Sequence, residues 1–232
     1  MVRFTLGGTD RSSRIAEADS VAVIGLGRFG SSLALELIAN GTEVLGIDGN
    51  EEIVQNLNGR LTQVVRADST KRETLLQLAV NEFDRVVVAI GSDIQASILT
   101  TSVLLDFGVP HIWAKAVSDA HGQILEQLGV KHVIYPEKDM GRRVAHLVRG
   151  AALDYIEIDP DFAIVKMSPN SHIAGRPLGE THLKSKFGVT VMAYRTDDES
   201  WVSADASTVL SANDTILVAG SAKKAEEFGQ LR

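Results

Sequence analysis

Short apolar runs alternate with amphipathic stretches along the chain up to about Leu147. The apolar runs predict six strands, at Val21–Gly25, Glu43–Ile47, Gln63–Arg66, Arg85–Ala89, His111–Lys115 and Lys131–Ile134. Helical spacing of apolar residues between these runs predicts helices that begin near Arg28, Asn50, Lys71, Asp93, Asp119 and Lys138. Regular alternation of strands and helices is typical of a doubly wound α/β fold with a parallel sheet.

The pattern changes from Tyr155 onward, where the apolar runs lie closer together. They predict strands at Tyr155–Ile158, Ala163–Met167, Val189–Tyr194 and Thr215–Val218. Helical stretches are expected at Pro177–Phe187, ending at Gly188, and at Ala222–Leu231. This part of the chain therefore predicts a small α+β domain. Its few strands leave exposed edges, so we expect it to pair with a second copy.

These patterns divide the chain into four parts. Residues 1–19 form a polar N-terminal arm without the apolar core of a signal peptide, and we expect this arm to be flexible. Residues 20–148 are predicted to form the α/β domain, and residues 155–232 the α+β domain. Residues 149–154 lie between the two domains and predict a hinge.

A glycine-rich turn follows the first predicted strand: Gly25, Leu26, Gly27, Arg28, Phe29 and Gly30. The apolar run Val21–Ile24 precedes the turn, and residues with helical spacing follow it. Glycine permits a tight turn and lets backbone N–H groups approach phosphate oxygens, while the next helix points its positive end at the same place. A tight turn alone explains the glycines as well. The order strand, glycine turn, helix favours nucleotide binding in a Rossmann-like fold.

Two further segments end predicted strands at the same edge of the sheet. Asp48 lies 18 residues after Gly30, where its carboxylate can accept hydrogen bonds from ribose hydroxyls and repel a 2′-phosphate. Its alternative role is to cap the next helix. The segment Ala67, Asp68, Ser69 and Thr70 follows the third strand, and the side chains of Asp68 and Ser69 can bind an adenine edge or cap a helix.

Arg28 is an unusual residue for the interior of a glycine turn. Its guanidinium can form paired hydrogen bonds with a terminal phosphate, or it can be a solvated surface arginine. The residue bears on the choice between ligands, because ATP places charge beyond the first two phosphates, where a nicotinamide cofactor places a ribose and a ring.

Composition narrows the classes of function. The chain has 232 residues, 44% of them hydrophobic, and a net charge of −7, which argues against a nucleic-acid partner. It contains no cysteine, which excludes disulfides and thiolate metal sites, and it has no apolar run that approaches a membrane span. A cytoplasmic protein is expected. The histidines lack orienting partners and metal-ligand spacing, and the common hydrolase motifs are missing, so we expect a protein that is not an enzyme.

Several segments together resemble the KtrA family, the cytosolic regulatory subunits of bacterial potassium uptake systems, which are built from RCK domains. They are the glycine turn, Val88–Gly91 with Ile94–Thr101, Ile112–Lys115 and Pro136–Gly141. The segments Ile173–Leu178 and Leu183–Val189 resemble the companion RCK C-terminal domain. The resemblance covers nearly all of residues 20–148, with its motifs in the family's order.

The resemblance implies dimers that assemble into an octameric ring, docked beneath a membrane-embedded potassium-conducting subunit at the inner face of the cell membrane. It implies that ATP and ADP bind the N-terminal domains and change the shape of the ring. Cyclic di-AMP can bind the family's C-terminal domains between two copies.

The resemblance also implies a set of binding residues. The glycine turn with Arg28 would hold the phosphates, Asp48 and Asn50 the ribose, and Ala67–Ser69 would border the adenine. Ile90, Gly91 and Lys115 belong to the same predicted site, and Glu137 would help to hold a divalent or monovalent cation at the phosphates. Ser69 departs from the family, in which alanine is frequent, and this departure should alter a local contact.

Three hypotheses follow from the sequence. The first is a regulator of a potassium transporter that responds to ATP and ADP. The second is a TrkA-like regulator that prefers NAD or NADH, which a longer chain with a duplicated unit would suit better. The third is an NAD-dependent dehydrogenase, which the missing catalytic residues disfavour.

Overall fold

The computed structural model of the protein describes residues 20–149, 152–159, 161–196 and 200–231. The predicted N-terminal arm, residues 1–19, lies outside the described residues, as do residues 150 and 151 of the predicted hinge. The chain divides into two compact units, and the division falls between Glu137 and Lys138. The domain limits inferred from the sequence stay a prediction.

The first unit contains a parallel sheet of six strands. They are β1 (Ser20–Ile24), β2 (Glu43–Asp48), β3 (Gln63–Arg66), β4 (Arg85–Val88), β5 (His111–Lys115) and β6 (His132–Ile134). The strand order is β3-β2-β1-β4-β5-β6, and every pairing is parallel. The chain order reverses between β1 and β4, which is where ligands bind in doubly wound sheets. The predicted fold class is confirmed.

A helix follows each strand, and the last helix crosses the division between the two units. The helices are α1 (Arg28–Ala39), α2 (Glu51–Leu57), α3 (Arg72–Gln77), α4 (Ile94–Asp106), α5 (Asp119–Leu128) and α6 (Pro136–Val148), with a 3₁₀ turn at Val80–Glu82. Asn50 and Asp93, predicted as helix starts, are N-caps whose side chains accept a backbone N–H. The helices therefore begin one residue later. Helix α6 begins at Pro136 rather than near Lys138, because proline suits the first helical position.

The apolar core of the first unit lies on both faces of the sheet. On one face, Val86 and Val88 pack with residues of α4 and α5 such as Leu104 and Leu125. On the other face, Val87 belongs to a cluster that includes Ala34 of α1. A sheet that is buried on both faces needs continuous apolar strands, which explains why short unbroken runs of valine, isoleucine and leucine predicted it well.

The second unit contains an antiparallel sheet. Its strands are β7 (Asp154–Asp159), β8 (Phe162–Met167), β9 (Val189–Arg195), β10 (Val202–Ser203) and β11 (Thr215–Gly220), in the order β10-β9-β11-β8-β7. The helices that accompany it are α7 (Leu178–Thr181), α8 (Leu183–Lys186) and α9 (Ala222–Gly229). Phe228 of α9 packs on Val165 and Val218 of the sheet's inner face. The predicted small α+β domain is confirmed.

Two elements of the second unit differ from the prediction. The single helix expected at Pro177–Phe187 is broken into α7 and α8, because His182 between them has a φ of +55°. Strand β10 was not predicted. It is two residues long and both side chains are exposed, so it leaves no apolar pattern in the sequence.

Candidate functional site

A cavity of about 1020 Å³ opens at the carboxyl ends of the parallel strands. The loops that follow β1, β2, β3, β4 and β5 all contribute to its wall, as expected at the switch point of a doubly wound sheet. The volume is at the upper end of the range for small-molecule sites, about 300–1,000 Å³.

All the predicted cofactor-binding residues except Leu26 and Gly30 line this cavity. Those in its wall are Gly25, Gly27, Arg28, Phe29, Asp48, Asn50, Ala67, Asp68, Ser69, Ile90, Gly91, Lys115 and Glu137. Leu26 has its side chain in the core beneath the turn, and Gly30 is buried in α1. These two residues shape the site from behind its surface.

The three glycines of the turn have different functions. Gly25 has a φ of +90°, and its N–H donates a hydrogen bond to the carbonyl of Ile47. A Cβ at Gly30 would lie 1.9 Å from the carbonyl oxygen of Gly25, so only glycine lets α1 approach the turn. A Cβ at Gly27 would have no atom within 4 Å, because it would project into open space. Gly25 and Gly30 therefore make the turn, while Gly27 leaves backbone open to a ligand in the cavity.

The N-terminus of α1 can bind an anion. Helix α1 begins at Arg28, and its N-cap Gly27 has no side chain to accept the first N–H groups. The first turn contains no acidic residue. The first N–H groups of a helix have no partner within the helix and carry the positive end of its dipole. A phosphate group therefore fits here.

Asp48 is held by two backbone donors. Its Oδ2 accepts from the N–H of Leu26 at 2.6 Å, and its Oδ1 accepts from the N–H of Asn50 at 2.7 Å. Each oxygen keeps a second lone pair, so the carboxylate can still accept from a ribose hydroxyl. The residue that caps α2 is Asn50 and not Asp48, since Oδ1 of Asn50 accepts a hydrogen bond from the N–H of Glu52. Leu26 contributes its backbone to the site and its side chain to the core.

The loop after β3 has most of its polar groups already paired. Ser69 is buried and its hydroxyl forms a 2.9 Å hydrogen bond with the hydroxyl of Thr100. Asp68 accepts hydrogen bonds from the hydroxyl and the N–H of Thr70, and these lower the pKa of its carboxyl. Lys71 lies 3.4 Å from the same carboxylate. Asp68 is thus ionised at neutral pH and can accept from a ligand N–H group.

Charged groups gather at the other side of the cavity. The Nζ of Lys115 lies 5.6 Å from the centre of the Phe29 ring and donates to Oε1 of Glu137 at 2.6 Å. This hydrogen bond, with a smaller attraction from Arg28, lowers the pKa of the Glu137 carboxyl. Two cations and one carboxylate therefore face the space beside the glycine turn.

The metal prediction at Glu137 stays a prediction. Across the ranges that the structure describes, no three or more His, Cys, Asp or Glu side chains lie together as a metal site would need. A cation at Glu137 would therefore require oxygen ligands from a bound phosphate or from water.

Sequence reasoning missed Arg66, Thr70 and Ser92, which also line the cavity. Arg66 is the last residue of β3, and its Nε donates to the carbonyl of Gly49 at 3.2 Å. The signal was available, because the carboxyl ends of parallel strands share one edge and Arg66 ends a predicted strand at that edge. Thr70 and Ser92 lie in the loops after β3 and β4.

A Rossmann-like sheet with a glycine turn at its switch point, followed by a small antiparallel domain, defines a two-domain class of proteins. Residues 21–136 match the TrkA-N domain, and residues 162–231 match the TrkA-C domain. The chain belongs to the TrkA-N/TrkA-C family. Within that family it belongs to the group of the Ktr potassium uptake proteins. The resemblance seen in the sequence is confirmed.

Two relatives illustrate this membership. The chain is 38% identical to Ktr system potassium uptake protein C of Bacillus subtilis, over 89% of this chain and 94% of the relative. It is 36% identical to Ktr system potassium uptake protein A of Vibrio alginolyticus, over 88% of this chain and 93% of the relative. Nearly the whole length of each relative is therefore represented.

Solved structures share the fold at low sequence identity. The GsuK RCK domain superimposes with a TM-score of 0.62 and 16% identity, over 91% of this chain and 47% of that chain. The GsuK channel bound to NAD gives 0.61 and 16%, over 91% of this chain and 39% of that chain. The AMP-bound Kef C-terminal domain of Shewanella denitrificans gives a TM-score of 0.50 and 19% identity, over 56% of this chain and 78% of that chain.

No helix in the described residues combines the length and the apolar character that a membrane crossing requires.

Proposed function

We propose that this protein is a nucleotide-sensing regulatory subunit of a potassium uptake system. ATP and ADP exchange in the cavity and shift the conformation of a ring of copies, assembled from dimers into an octamer. The ring docks on a membrane-embedded potassium-conducting subunit at the cytoplasmic face of the cell membrane. The observation that carries this proposal is the pair of cations, Arg28 and Lys115, beside the open glycine turn of a Ktr-family chain.

The cavity fits an adenine nucleotide on structural grounds. Gly27 leaves open space above the backbone where a phosphate can approach, and Asp48 is held with lone pairs free for ribose hydroxyls. Relatives in fold are described as bound to NAD and to AMP, which share the adenosine part of the ligand. The adenosine end is therefore common to both candidate ligand classes.

The phosphate end favours ATP and ADP over NAD or NADH. A ligand shifts a conformational equilibrium only by its difference in affinity for the two states. ATP and ADP differ by one charged phosphate, and Arg28 and Lys115 can interact with that phosphate. A coupling free energy of about 1–3 kcal/mol per site is typical of allostery, and a ring combines several such sites. Nucleotide binding itself then changes the conformation of the ring. The proposed function therefore requires no catalytic step, and the protein is not an enzyme.

Further ligands follow from the family resemblance. Glu137 would share a cation with the phosphate oxygens, as carboxylates do for Mg²⁺ at nucleotide sites. Cyclic di-AMP binding by the C-terminal domain stays a prediction from the resemblance alone. The alternative proposal, a regulator that responds to NAD and NADH, is supported by the fold-level likeness to the NAD-bound GsuK channel.

Calorimetric titration of the full-length protein with ATP, ADP and NADH tests the proposal. We expect ATP and ADP to bind, and we expect Arg28→Gln to reduce the difference between their affinities by roughly tenfold, the loss of one charge-assisted phosphate contact. Arg60→Gln is the matched control, since Arg60 is exposed and lies outside the cavity wall. Tight binding of NADH without binding of ATP or ADP would overturn the proposal.

Ion flux through the copurified complex then tests the coupling. We expect ATP and ADP to produce different fluxes with the wild-type protein and more similar fluxes with Arg28→Gln. An unchanged difference in that variant would remove Arg28 from the mechanism.

A further inference from the structure

Arg66 is fixed in the cavity wall by two hydrogen bonds. Its Nε donates to the carbonyl oxygen of Gly49 at 3.2 Å, and its Nη1 donates to Oε2 of Glu51 at 3.1 Å. The N–H groups of a guanidinium lie in its plane, so both bonds act along the edge of the group. They set the orientation of the plane and use neither of its flat faces.

The surroundings of Arg66 suit a base. Asp48, the proposed ribose ligand, is the direct partner of Arg66 in the pairing of β2 with β3. The apolar side chains of Ile53 and Ala67 line the same cavity, and Asp68 provides a carboxylate in the next loop. This side of the cavity therefore combines a planar guanidinium, apolar side chains, and a carboxylate that can accept a hydrogen bond from the edge of a base. The other side carries the phosphate-binding groups.

We propose that Arg66 determines base specificity by stacking its guanidinium on the purine ring of the bound nucleotide. This inference rests on the proposed function, because it requires an adenine nucleotide in the cavity. Guanidinium groups stack on aromatic faces, where dispersion and cation–π attraction add together. A purine offers a larger face than a pyrimidine, so the same contact favours ATP and ADP over CTP and UTP.

A purely structural role for Arg66 makes a different prediction. The side chains of Arg66 and Glu51 are 61% and 51% exposed, and exposed ion pairs contribute little to stability. If Arg66 acted only by bracing the loop after β2 through its charge and hydrogen bonds, lysine would replace it in part and tyrosine would not replace it at all. If it acts through its flat face, lysine would fail, and an uncharged aromatic residue would succeed.

The experiment compares Arg66→Ala, Arg66→Lys and Arg66→Tyr in the full-length protein, with Arg60→Ala as the control. ADP, ATP, CTP and inorganic tripolyphosphate are titrated by calorimetry, and the fluorescence of etheno-ADP reports stacking on the base. We expect Arg66→Ala and Arg66→Lys to lose affinity for ADP and ATP equally, by roughly tenfold, which is the scale of one stacked base. We expect Arg66→Tyr to retain most of the affinity, and tripolyphosphate to bind the wild type and the lysine variant alike.

The outcomes separate this inference from the proposed function. Wild-type affinity in Arg66→Lys, or a loss in Arg66→Tyr as large as in Arg66→Ala, would overturn stacking while leaving nucleotide binding intact. An unchanged preference for ATP over CTP in Arg66→Ala would do the same. Failure of the wild-type protein to bind any adenine nucleotide would overturn both proposals. Circular dichroism of each variant confirms folding, which the exposure of Arg66 favours.

Discussion

The Nζ of Lys115 donates a hydrogen bond to Oε1 of Glu137 at 2.6 Å, joining the end of β5 to the first turn of α6. The two partners differ in exposure, since the lysine side chain is 9% exposed and the glutamate side chain 65%. A cation that is nearly buried needs a partner, because an unpaired buried charge is costly. Glu137 provides that partner at the side of the cavity where we place the phosphates.

Replacing Glu137 by glutamine should strengthen the binding of ATP in metal-free buffer. The change removes a negative charge beside the phosphates and releases Lys115 to interact with them. The expected gain is about 0.5–1 kcal/mol for a partly exposed charge, or roughly two- to fivefold in affinity. The same variant should lose any increase in affinity that Mg²⁺ gives the wild type. Calorimetry with ATP, in chelator and then in Mg²⁺, measures both effects.

The contribution of the Lys115–Glu137 pair to the free energy of unfolding depends on pH. The pKa of Glu137 is lowered in the folded protein, chiefly by the hydrogen bond from Lys115. Its ionised form therefore contributes stability above the ordinary pKa of 4.5, and that contribution is lost as pH falls through the lower folded value. The difference in unfolding free energy between wild type and Glu137→Gln should be constant between about pH 6 and 8 and shrink below about pH 4. A difference that changes across neutral pH would contradict this assignment.

Substitution by alanine should lower the stability of the protein at Gly30 and its affinity for nucleotide at Gly27. A Cβ at Gly30 would meet the carbonyl oxygen of Gly25 at 1.9 Å, so Gly30→Ala should destabilise the protein by about 1–3 kcal/mol or more. Gly27 has a φ of −62°, which alanine adopts freely, and a Cβ there meets no atom within 4 Å. Gly27→Ala should therefore keep its melting temperature and lose nucleotide affinity.

Thermal unfolding and ADP titration of both variants measure this contrast. Each variant serves as the control for the other, because both add one methyl group to the same turn. Normal affinity for ADP in a stable Gly27→Ala protein would show that phosphates do not approach this part of the backbone.

The parallel sheet could be predicted closely because its strands are buried on both faces. The range His111–Lys115 was predicted to the residue, and so was Gln63–Arg66. The place of Asp48 followed from the distance between the glycine turn and the end of the next strand. The spacing of residues along the sequence could not show which polar atoms already have a hydrogen-bond partner in the folded protein. The hydroxyl of Ser69 bonds to Thr100, 31 residues away, and only the folded structure brings them together.

Arg66 shows a second limit of sequence reasoning. Arg66 ends the predicted strand Gln63–Arg66, so its place at the ligand-binding edge of the sheet could be predicted, but its hydrogen-bond partners could not. Its contacts with Gly49 and Glu51 depend on the parallel register of β2 and β3, which pairs Asp48 with Arg66. Register is a property of two segments together, so neither segment alone could reveal it.

His182 explains why the helix predicted at Pro177–Phe187 is broken, because its backbone is left-handed. Its φ of +55° lies in the left-handed region, which costs about 1–2 kcal/mol for most L residues and is least unusual for Asn, Asp and His. A β-branched residue fits this region worst. His182→Val should therefore destabilise the second unit by about 1–2 kcal/mol. His182→Gly should be neutral or slightly stabilising, because relief of strain offsets the entropy of glycine.

Lys184→Val is the matched control for His182→Val, since Lys184 is exposed within α8 and valine there costs only its lower helix propensity, about 0.5 kcal/mol. Hydrogen exchange at the amides of Lys186 and Phe187 measures the local effect, because these amides donate to the carbonyls of His182 and Leu183. Exchange should accelerate several-fold more in His182→Val than in Lys184→Val. Equal acceleration in the two variants would mean that valine meets no extra strain in the left-handed backbone at position 182.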